Sequence, residues 1–324
     1  MAKTLVVTKP GGPESMEMVD VEPGRPGPGE IRLRQTAIGI NFVDVHHRRG
    51  SYVMDMPITP GYEAAGVIEE VGPGVTGLSV GQRIAYAAAP LIPAAYCAAR
   101  LLPADRAVPL PDDVSDLDAA ALLFKGMTVQ ALVRSSYPIR RGDTILMHAA
   151  AGGLGKLLCR WAHHLGATVI GTVRSPEKAD KAAANGCHEV IVTSKQDFVS
   201  RVLELTVGEG VHVAYDNVGL DTLLGSLKCV RSFGTLVSLG QSSGAIPPVD
   251  IGQMGHESIY LQKFSVKVYM RYPGPYQAMA AETLRAIQAG ILPREYSVRP
   301  FEDVREVHRE LESGKTTGIF VLKV

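Results

Sequence analysis

The chain has 324 residues, 46% of them hydrophobic, and its 33 basic residues balance 33 acidic residues. This length predicts about two domains with sizeable cores. The zero formal charge argues against nucleic acid or an anionic membrane as an obligatory partner, and no apolar run approaches the ~18 residues of a membrane span.

Residues 1–110 contain short β-type runs that glycine and proline separate. The runs lie at residues 5–7, 31–34, 64–71 and 83–86, and turn residues fill 23–30 and 72–74. Short strands with turns at this spacing predict a compact, antiparallel, barrel-like domain.

From residue 115 onward, buried strands alternate with helices. We predict strands at 144–147, 168–173, 189–192, 211–216 and 235–239, and helices after residue 152 and at 178–184, 198–206 and 223–230. This alternation predicts a doubly wound parallel sheet, so the expected fold class is α/β.

The end of the chain returns to mixed signals. Two helices at 278–289 and 304–313 precede a final strand at 319–322. We expect this segment to rejoin the first domain. The predicted domains are therefore residues 1–119 together with 263–324, and residues 120–262.

A glycine-rich turn joins the strand at 144–147 to the helix that follows it. Residues 150–155 read AAGGLG, with Ala150 at the first glycine position of G-x-G-x-x-G. Gly152 lets the backbone approach a pyrophosphate, and Gly155 lets the helix pack closely on the sheet. The helix N-terminus offers N–H groups and a positive dipole end to phosphates. The turn therefore indicates a dinucleotide site.

The end of the next strand indicates which dinucleotide binds. NAD-binding units place an acidic residue there, about 20 residues past the glycines. The strand at 168–173 instead runs into Arg174, Ser175 and then Lys178. Charge-assisted bonds to a 2′-phosphate favour these groups, so we predict NADPH. Glu177 falls in the first turn of a helix, where the helix dipole explains an acid.

The cysteines and the N-terminus indicate the compartment. Cys97, Cys159, Cys187 and Cys229 lie far apart in apolar settings, which is typical of buried thiols and not of a disulfide or zinc framework. The apolar part of the N-terminus is too short for a signal peptide. We expect a cytoplasmic protein.

Six runs of residues carry a resemblance to a known family. They are 39–44 (GINFVD), 61–66 (GYEAAG), 123–128 (LFKGMT), 148–155 (HAAAGGLG), 215–219 (YDNVG) and 240–244 (GQSSG). With the order of the elements, they resemble the zinc-free quinone oxidoreductases (the zeta-crystallin group) of the medium-chain dehydrogenase/reductase superfamily. This resemblance implies a GroES-like antiparallel β-barrel catalytic domain and a Rossmann NADPH-binding domain. It is more specific to the family than to a substrate.

The resemblance also implies that no metal takes part. Zinc-dependent relatives carry a Cys where this chain has Asn41 and a His where it has Tyr62, and amide and phenol are poor zinc ligands. Without a Lewis acid the acceptor must already be electrophilic. Quinones and conjugated carbonyls meet this requirement, and the protein then supplies position and a hydrogen-bond donor for the developing oxyanion.

The resemblance implies a set of site residues. The catalytic set is Asn41, His46, Arg48 and Tyr52. The amide of Asn41 and the phenol of Tyr52 can donate hydrogen bonds, and His46, which replaces a tyrosine of the family pattern, could protonate the product near neutral pH. With the glycine turn and Arg174, the cofactor set is Asn41, Tyr52, Lys125, Thr128, Ala151, Gly152, Gly153, Leu154, Arg174, Ser175, Lys178, Thr193, Asn217, Leu239, Gly240, Gln241 and Phe264.

Residues 258–268 have the length and alternation of an apolar edge strand, which is a pairing hazard for a monomer. Relatives pair their cofactor-domain sheets through such a strand, so the resemblance implies a twofold homodimer.

Two classes of function stay open. The first is an NADPH-dependent reductase of quinones, with the double bonds of 2-alkenals or enones as the alternative substrates. The second is a non-catalytic NADPH-binding protein, structural or RNA-binding, as some members of the group are. The zero formal charge argues against RNA as the main partner, so we expect an enzyme that acts on a small molecule.

Overall fold

The computed structural model describes residues 1–88, 94–254, 258–314 and 318–324, with only the backbone of Gln253. The chain divides into two compact units. The first unit comprises Met1–Met127 and Lys267–Val324, and the second comprises Thr128–Val266.

The elements follow one another along the chain as helices and strands of short to moderate length. The strands are β1 (Ala2–Val7), β2 (Met16–Val21), β3 (Glu30–Gly39), β4 (Glu63–Val71), β5 (Arg83–Ala87), β6 (Ala99–Pro103), β7 (Val108–Pro109), β8 (Thr144–Met147), β9 (Thr168–Val173), β10 (Glu189–Val192), β11 (Val211–Asp216), β12 (Val230–Ser238), β13 (Tyr260–Lys263), β14 (Ser297–Pro300) and β15 (Phe320–Lys323). The helices are α1 (Phe42–Arg49), α2 (Asp116–Ala131), α3 (Gly153–His164), α4 (Ala179–Ala184), α5 (Phe198–Leu205), α6 (Leu223–Cys229), α7 (Val266–Tyr269), α8 (Pro273–Gln288) and α9 (Val304–Glu312).

The first unit is built on a mainly antiparallel sheet. Its described strands run in the order β14-β15-β3-β4-β5-β7. Strand β6 pairs with residues 30–34 of β3. Only the β14–β15 pair is parallel among these described strands. A separate antiparallel pair joins β1 to β2. Apolar side chains from these strands and from α9, such as Leu33, Ile84, Val304 and Leu322, form one buried core. The antiparallel character that the sequence predicts is confirmed, whereas closure into a barrel stays a prediction.

The second unit is a parallel sheet with helices between its strands. The strand order in the described residues is β10-β9-β8-β11-β12-β13, and every pairing is parallel. Parallel strands are covered on both faces and therefore read as nearly continuous apolar runs. Leu146, Ile170, Ile191 and Leu236 lie in the resulting core. The predicted doubly wound sheet is confirmed.

The predicted edge strand at 258–268 is wrong in length. Strand β13 spans only Tyr260–Lys263 and pairs with β12 up to Ser238, where β12 ends. The N–H of Phe264 donates to the carbonyl of Ser238 at 2.9 Å, and the chain then turns into α7. The β-type alternation of the sequence therefore continues beyond Lys263, whose partner Ser238 is the last residue of β12.

No helix within the described ranges is long and apolar enough to cross a membrane.

Candidate functional site

The carboxyl ends of the parallel strands gather the predicted cofactor residues of the second unit. In open α/β sheets, ligands bind at this edge. Apart from Thr128, which is buried on α2, each predicted residue of this unit follows the end of a strand. Ala151, Gly152, Gly153 and Leu154 follow β8; Arg174, Ser175 and Lys178 follow β9; Thr193 follows β10; Asn217 follows β11; Leu239, Gly240 and Gln241 follow β12; and Phe264 follows β13.

The turn between β8 and α3 has two glycines with different physical roles. A Cβ on Gly155 would lie 2.3 Å from the carbonyl oxygen of Ala149, so close packing of α3 on the turn requires this glycine. Gly152 has an ordinary φ of −77°, and a Cβ there would meet one protein atom, the Ala149 oxygen, at 3.1 Å. Protein packing explains Gly152 only weakly. A Cβ at this position would lie at the N-terminus of α3, where the free backbone N–H groups of a helix can receive a pyrophosphate.

A buried polar network fixes the backbone at this edge. The carboxylate of Asp216 accepts from the N–H groups of Val218 and Gly219 and from the hydroxyl of Ser226, at 2.9 to 3.0 Å. The ring of His148 lies between Ser226 and Thr172, with distances of 2.8 and 2.9 Å from its two nitrogens to their hydroxyl oxygens. Burial lowers the pKa of His148, against the opposing effect of Asp216, so the ring is neutral. The network holds the loops after β8 and β11 in place.

The end of β9 presents Arg174 to solvent. The hydroxyl of Ser175 donates to Oε1 of Glu177 at 2.5 Å, and this bond lowers the pKa of the Glu177 carboxyl. Lys178 lies half-buried in the 3-10 turn Pro176–Lys178. A 2′-phosphate that accepted the hydrogen bond of the Ser175 hydroxyl would have to displace the Glu177 carboxylate as its acceptor.

In the first unit, Glu63 organises the residues around Asn41. The amide Nδ2 of Asn41 donates to Oε1 of Glu63 at 2.9 Å, and Nζ of Lys125 lies 2.9 Å from the same oxygen. Lys125 also donates to the carbonyl of Ile40 at 3.0 Å, and the N–H of Phe124 donates to Oε2 of Glu63 at 2.8 Å. Glu63 is fully buried, so the orientation of the Asn41 amide is fixed.

Three polar side chains form a row in which Tyr62 lies between His47 and Lys267. The Tyr62 hydroxyl oxygen is 2.8 Å from Nε2 of His47 and 2.8 Å from Nζ of Lys267. The Tyr62 ring stacks on Phe124 at a centroid distance of 5.7 Å. Burial and then the Lys267 charge lower the pKa of His47 to about 4, so His47 is neutral at physiological pH.

His46 forms an aromatic contact with Tyr52 at a centroid distance of 4.8 Å and an edge contact with Phe42 at 5.2 Å. Burial and the Arg49 charge lower the pKa of His46, and burial raises the pKa of the Tyr52 hydroxyl. Tyr52 therefore remains a hydrogen-bond donor over a wide pH range. The lowered pKa favours the neutral ring of His46, and the acid role that the sequence suggests stays a prediction.

Arg48 has a placement that differs from its expected catalytic role. Its side chain is 0% exposed and forms an ion pair with Glu312, and a carboxylate oxygen of Glu312 also lies 2.6 Å from Nε of Arg49. An arginine without exposed atoms cannot contact an acceptor in this conformation. The pair instead ties α1 to the end of α9.

Sequence reasoning did not assign roles to Glu63, His47 or Lys267. An acid at the head of the apolar run of β4 was an available signal for Glu63, because a buried carboxylate needs partners. Lys267 offered none, since it lies 205 positions from its partner Tyr62. Within the described parts of the chain, no group of three or more His, Cys, Asp or Glu side chains is arranged to hold a metal ion.

Two family models match the chain. The model described as zinc-binding dehydrogenase covers residues 153–285, and the model described as alcohol dehydrogenase GroES-like domain covers residues 27–112. These matches, with the parallel sheet, confirm the predicted α/β class with a GroES-like and a Rossmann-like domain.

Full-length relatives give a closer comparison. A quinone oxidoreductase of Pseudomonas aeruginosa is 43% identical, and a 2-haloacrylate reductase of Burkholderia sp is 40% identical, each with 99% of both chains covered. The crystal structure of Escherichia coli quinone oxidoreductase complexed with NADPH is 37% identical, with a TM-score of 0.95 over 99% of this chain and 100% of that chain.

Proposed function

The chain belongs to the quinone oxidoreductase family of medium-chain dehydrogenases/reductases, and on that premise we propose that it reduces quinones with NADPH and without a metal ion. The observation that carries this proposal is the glycine turn whose Gly152 is the N-cap of α3, at the carboxyl edge of a parallel sheet. When bound there, NADPH supplies a hydride from its nicotinamide ring.

The residues at this edge bind and select the cofactor. Backbone N–H groups from Ala151 to Leu154 receive the pyrophosphate. Arg174, Ser175 and Lys178 receive the 2′-phosphate. The strand-end residues Thr193, Asn217, Leu239, Gly240, Gln241 and Phe264, with Thr128, complete the cofactor contacts of the second unit.

The residues of the first unit handle the acceptor. Asn41 and Tyr52 donate hydrogen bonds to the oxygen that becomes negative during reduction. The bond to Glu63 uses one N–H of the Asn41 amide and leaves the second N–H for a ligand. His46 packs on Tyr52 as a neutral ring, and we assign Arg48 a structural role.

The local charges support reduction without a metal. The carboxylate of Glu63 is buried against the ammonium of Lys125 and the amide of Asn41. A zinc ion would need thiolate or imidazole ligands that Asn41 and Tyr62 do not provide. The positive charge beside the Asn41 amide is therefore that of a lysine.

Conjugated acids and carbonyls are the second candidate acceptors. The relative that is a 2-haloacrylate reductase, at 40% identity, favours this alternative. Its named substrate carries a double bond conjugated to a carboxylate. Such an acceptor takes hydride at a carbon atom, and negative charge again develops on oxygen.

We also propose a homodimer and a reducing compartment, the cytoplasm. Strand β13 is an edge of its sheet, and Tyr260 and Leu261 on it are 61% and 40% exposed, which favours pairing with a second copy. The four cysteines are free and buried. The zero formal charge supports the absence of an obligatory nucleic-acid partner.

The proposed function is tested by initial rates of NADPH oxidation with a panel of quinones, 2-alkenals and 2-haloacrylate. We expect turnover with quinones. NADPH binding without turnover of any acceptor would favour the non-catalytic class.

A further inference from the structure

The ammonium of Lys267 has an unusual environment for a lysine. It donates to the Tyr62 hydroxyl at 2.8 Å and lies 4.9 Å above the centroid of the Tyr62 ring. The side chain is half-buried, and no carboxylate forms an ion pair with it among the described residues. An ammonium has three N–H donors, so two remain for a ligand.

The hydrogen-bond directions along this row are determined by chemistry. Lys267 can only donate, so the Tyr62 oxygen accepts from it. The phenol proton must then point to the other neighbour, and Nε2 of His47 accepts it at 2.8 Å. This arrangement places the His47 proton on Nδ1, a buried atom that has no partner in the described part of the chain. Donation to His47 makes the Tyr62 oxygen a stronger acceptor for Lys267.

Burial supports this division of roles. Tyr62 is 1% exposed and His47 is 4% exposed, so neither can meet a ligand, whereas Lys267 keeps accessible surface. The buried pair therefore serves to position the ammonium. The Tyr62 ring that holds this ammonium stacks on Phe124, and the Phe124 N–H is bonded to Glu63.

We propose that Lys267 is a further catalytic residue, which contacts the acceptor oxygen and gives it a proton, and that Tyr62 and His47 position it. This inference rests on the proposed function. When the acceptor takes the hydride that bound NADPH would supply, the displaced electron pair is left on the acceptor oxygen. An N–H bond of Lys267 breaks as the O–H bond forms, and the neutral amine then takes a proton from water.

The titratable groups around Lys267 give the expected pH dependence. They are Tyr62 and His47, with Asp44 and Tyr52 next to Tyr62. Burial lowers the pKa of Lys267 from 10.5, and the neutral His47 adds no opposing charge at pH 7 and above. The ammonium is lost as pH rises through its pKa, so the rate of acceptor reduction falls on the alkaline side.

The test compares Lys267→Met and Lys267→Arg with Lys9→Met, which removes an exposed lysine of the same unit. Loss of one donor to an oxyanion costs on the order of 10²-fold in rate where that donor dominates. We expect Lys267→Met to lower kcat at least ~tenfold, to lose the alkaline limb of the pH profile and to keep NADPH affinity. Lys267→Arg should keep part of the activity and move the limb upward, and Lys9→Met should behave as wild type.

A measurement without turnover completes the test. An NMR titration of the Lys267 side chain should give a pKa below 10.5, and Tyr62→Phe should change that pKa while the ring still stacks. An ordinary pKa that Tyr62→Phe does not change, or an unaltered kcat in Lys267→Met with every acceptor that wild type reduces, would overturn the inference. Failure of wild type to reduce any acceptor would instead count against the proposed function.

Discussion

The amide nitrogen of Asn41 lies 2.9 Å from a carboxylate oxygen of Glu63, deep inside the first unit. The same oxygen accepts from Lys125, so one buried carboxylate fixes both an amide and an ammonium. The orientation of the Asn41 amide is therefore fixed by a charge pair that sequence reasoning did not identify.

The Glu63–Lys125 pair should have a large effect on stability when only one member is removed. Glu63→Gln leaves a buried ammonium without its counter-charge, and breaking a buried pair costs about 3–5 kcal/mol. We expect a loss of this size in the free energy of unfolding, measured with urea. The double variant Glu63→Gln/Lys125→Met should be less destabilised than the single variant, because no unpaired charge remains. Additive losses would show that the two groups do not interact.

Cofactor preference should depend on Arg174. We expect wild type to bind NADPH more tightly than NADH. A charge-assisted hydrogen bond contributes about 1.5–3 kcal/mol, so Arg174→Ala should reduce the preference at least ~tenfold in fluorescence titrations. Arg231→Ala, at the amino-terminal end of β12, removes the same charge and should leave the preference unchanged. Equal affinities of wild type for both cofactors would refute this role.

The strands of the second unit could be predicted from the sequence, whereas the contacts around Glu63 and Tyr62 could not, for a physical reason. Strands β8 to β11 lie where predicted, because buried parallel strands are apolar runs that alternate with helices. The bonds of Glu63 with Lys125 and of Tyr62 with Lys267 join residues 62 and 205 positions apart, and no local pattern records such pairs. Arg48 likewise pairs with Glu312, 264 positions away.

Removal of the predicted donors should affect the two acceptor classes unequally. Under the proposed function, Tyr52→Phe and Asn41→Ala each delete a donor to the developing oxyanion, and we expect NADPH affinity to change little. Enals depend on this stabilisation, and we expect kcat to fall on the order of 10²-fold. Quinones are stronger acceptors and should lose only ~tenfold. Unchanged turnover of both variants with both classes would mean that neither residue contacts the acceptor.

Stability should depend on pH through Asp44. Burial raises the pKa of this carboxyl to about 7. The folded protein therefore keeps a proton that the unfolded chain releases near pH 4, so the free energy of unfolding falls as pH rises from about 4 to about 7 and then levels. A change of one in pKa corresponds to about 1.4 kcal/mol. The rise in the Asp44 pKa to about 7 therefore lowers the free energy of unfolding by up to about 4 kcal/mol between acid and neutral pH.

Asp44→Asn keeps the shape of the side chain and cannot titrate. Urea unfolding at pH 5 and pH 8 should therefore show a smaller difference in this variant than in wild type. The exposed control Asp20→Asn should retain the wild-type difference. An identical pH dependence in Asp44→Asn and wild type would place the titrating group elsewhere.

The assembly is tested by the mass in solution. We expect light scattering at micromolar concentration to give the mass of a dimer. Leu261→Lys puts a charge on the exposed edge strand β13 and should shift the protein toward a monomer. The control Val80→Lys adds the same charge at an exposed residue of the first unit and should leave the mass unchanged. A monomeric wild type would contradict the proposed pairing.

The most direct test of the central claim follows the hydrogen that leaves the cofactor. After exhaustive chelation has left less than stoichiometric zinc, the protein is mixed with NADPH that carries deuterium in both C4 positions and with an enal that the untreated protein reduces. We expect full activity, with one deuterium on the β-carbon of the product and NADP⁺ formed in equal amount. Activity that chelation abolishes and zinc restores, or a product without deuterium from the cofactor, would contradict metal-independent hydride transfer.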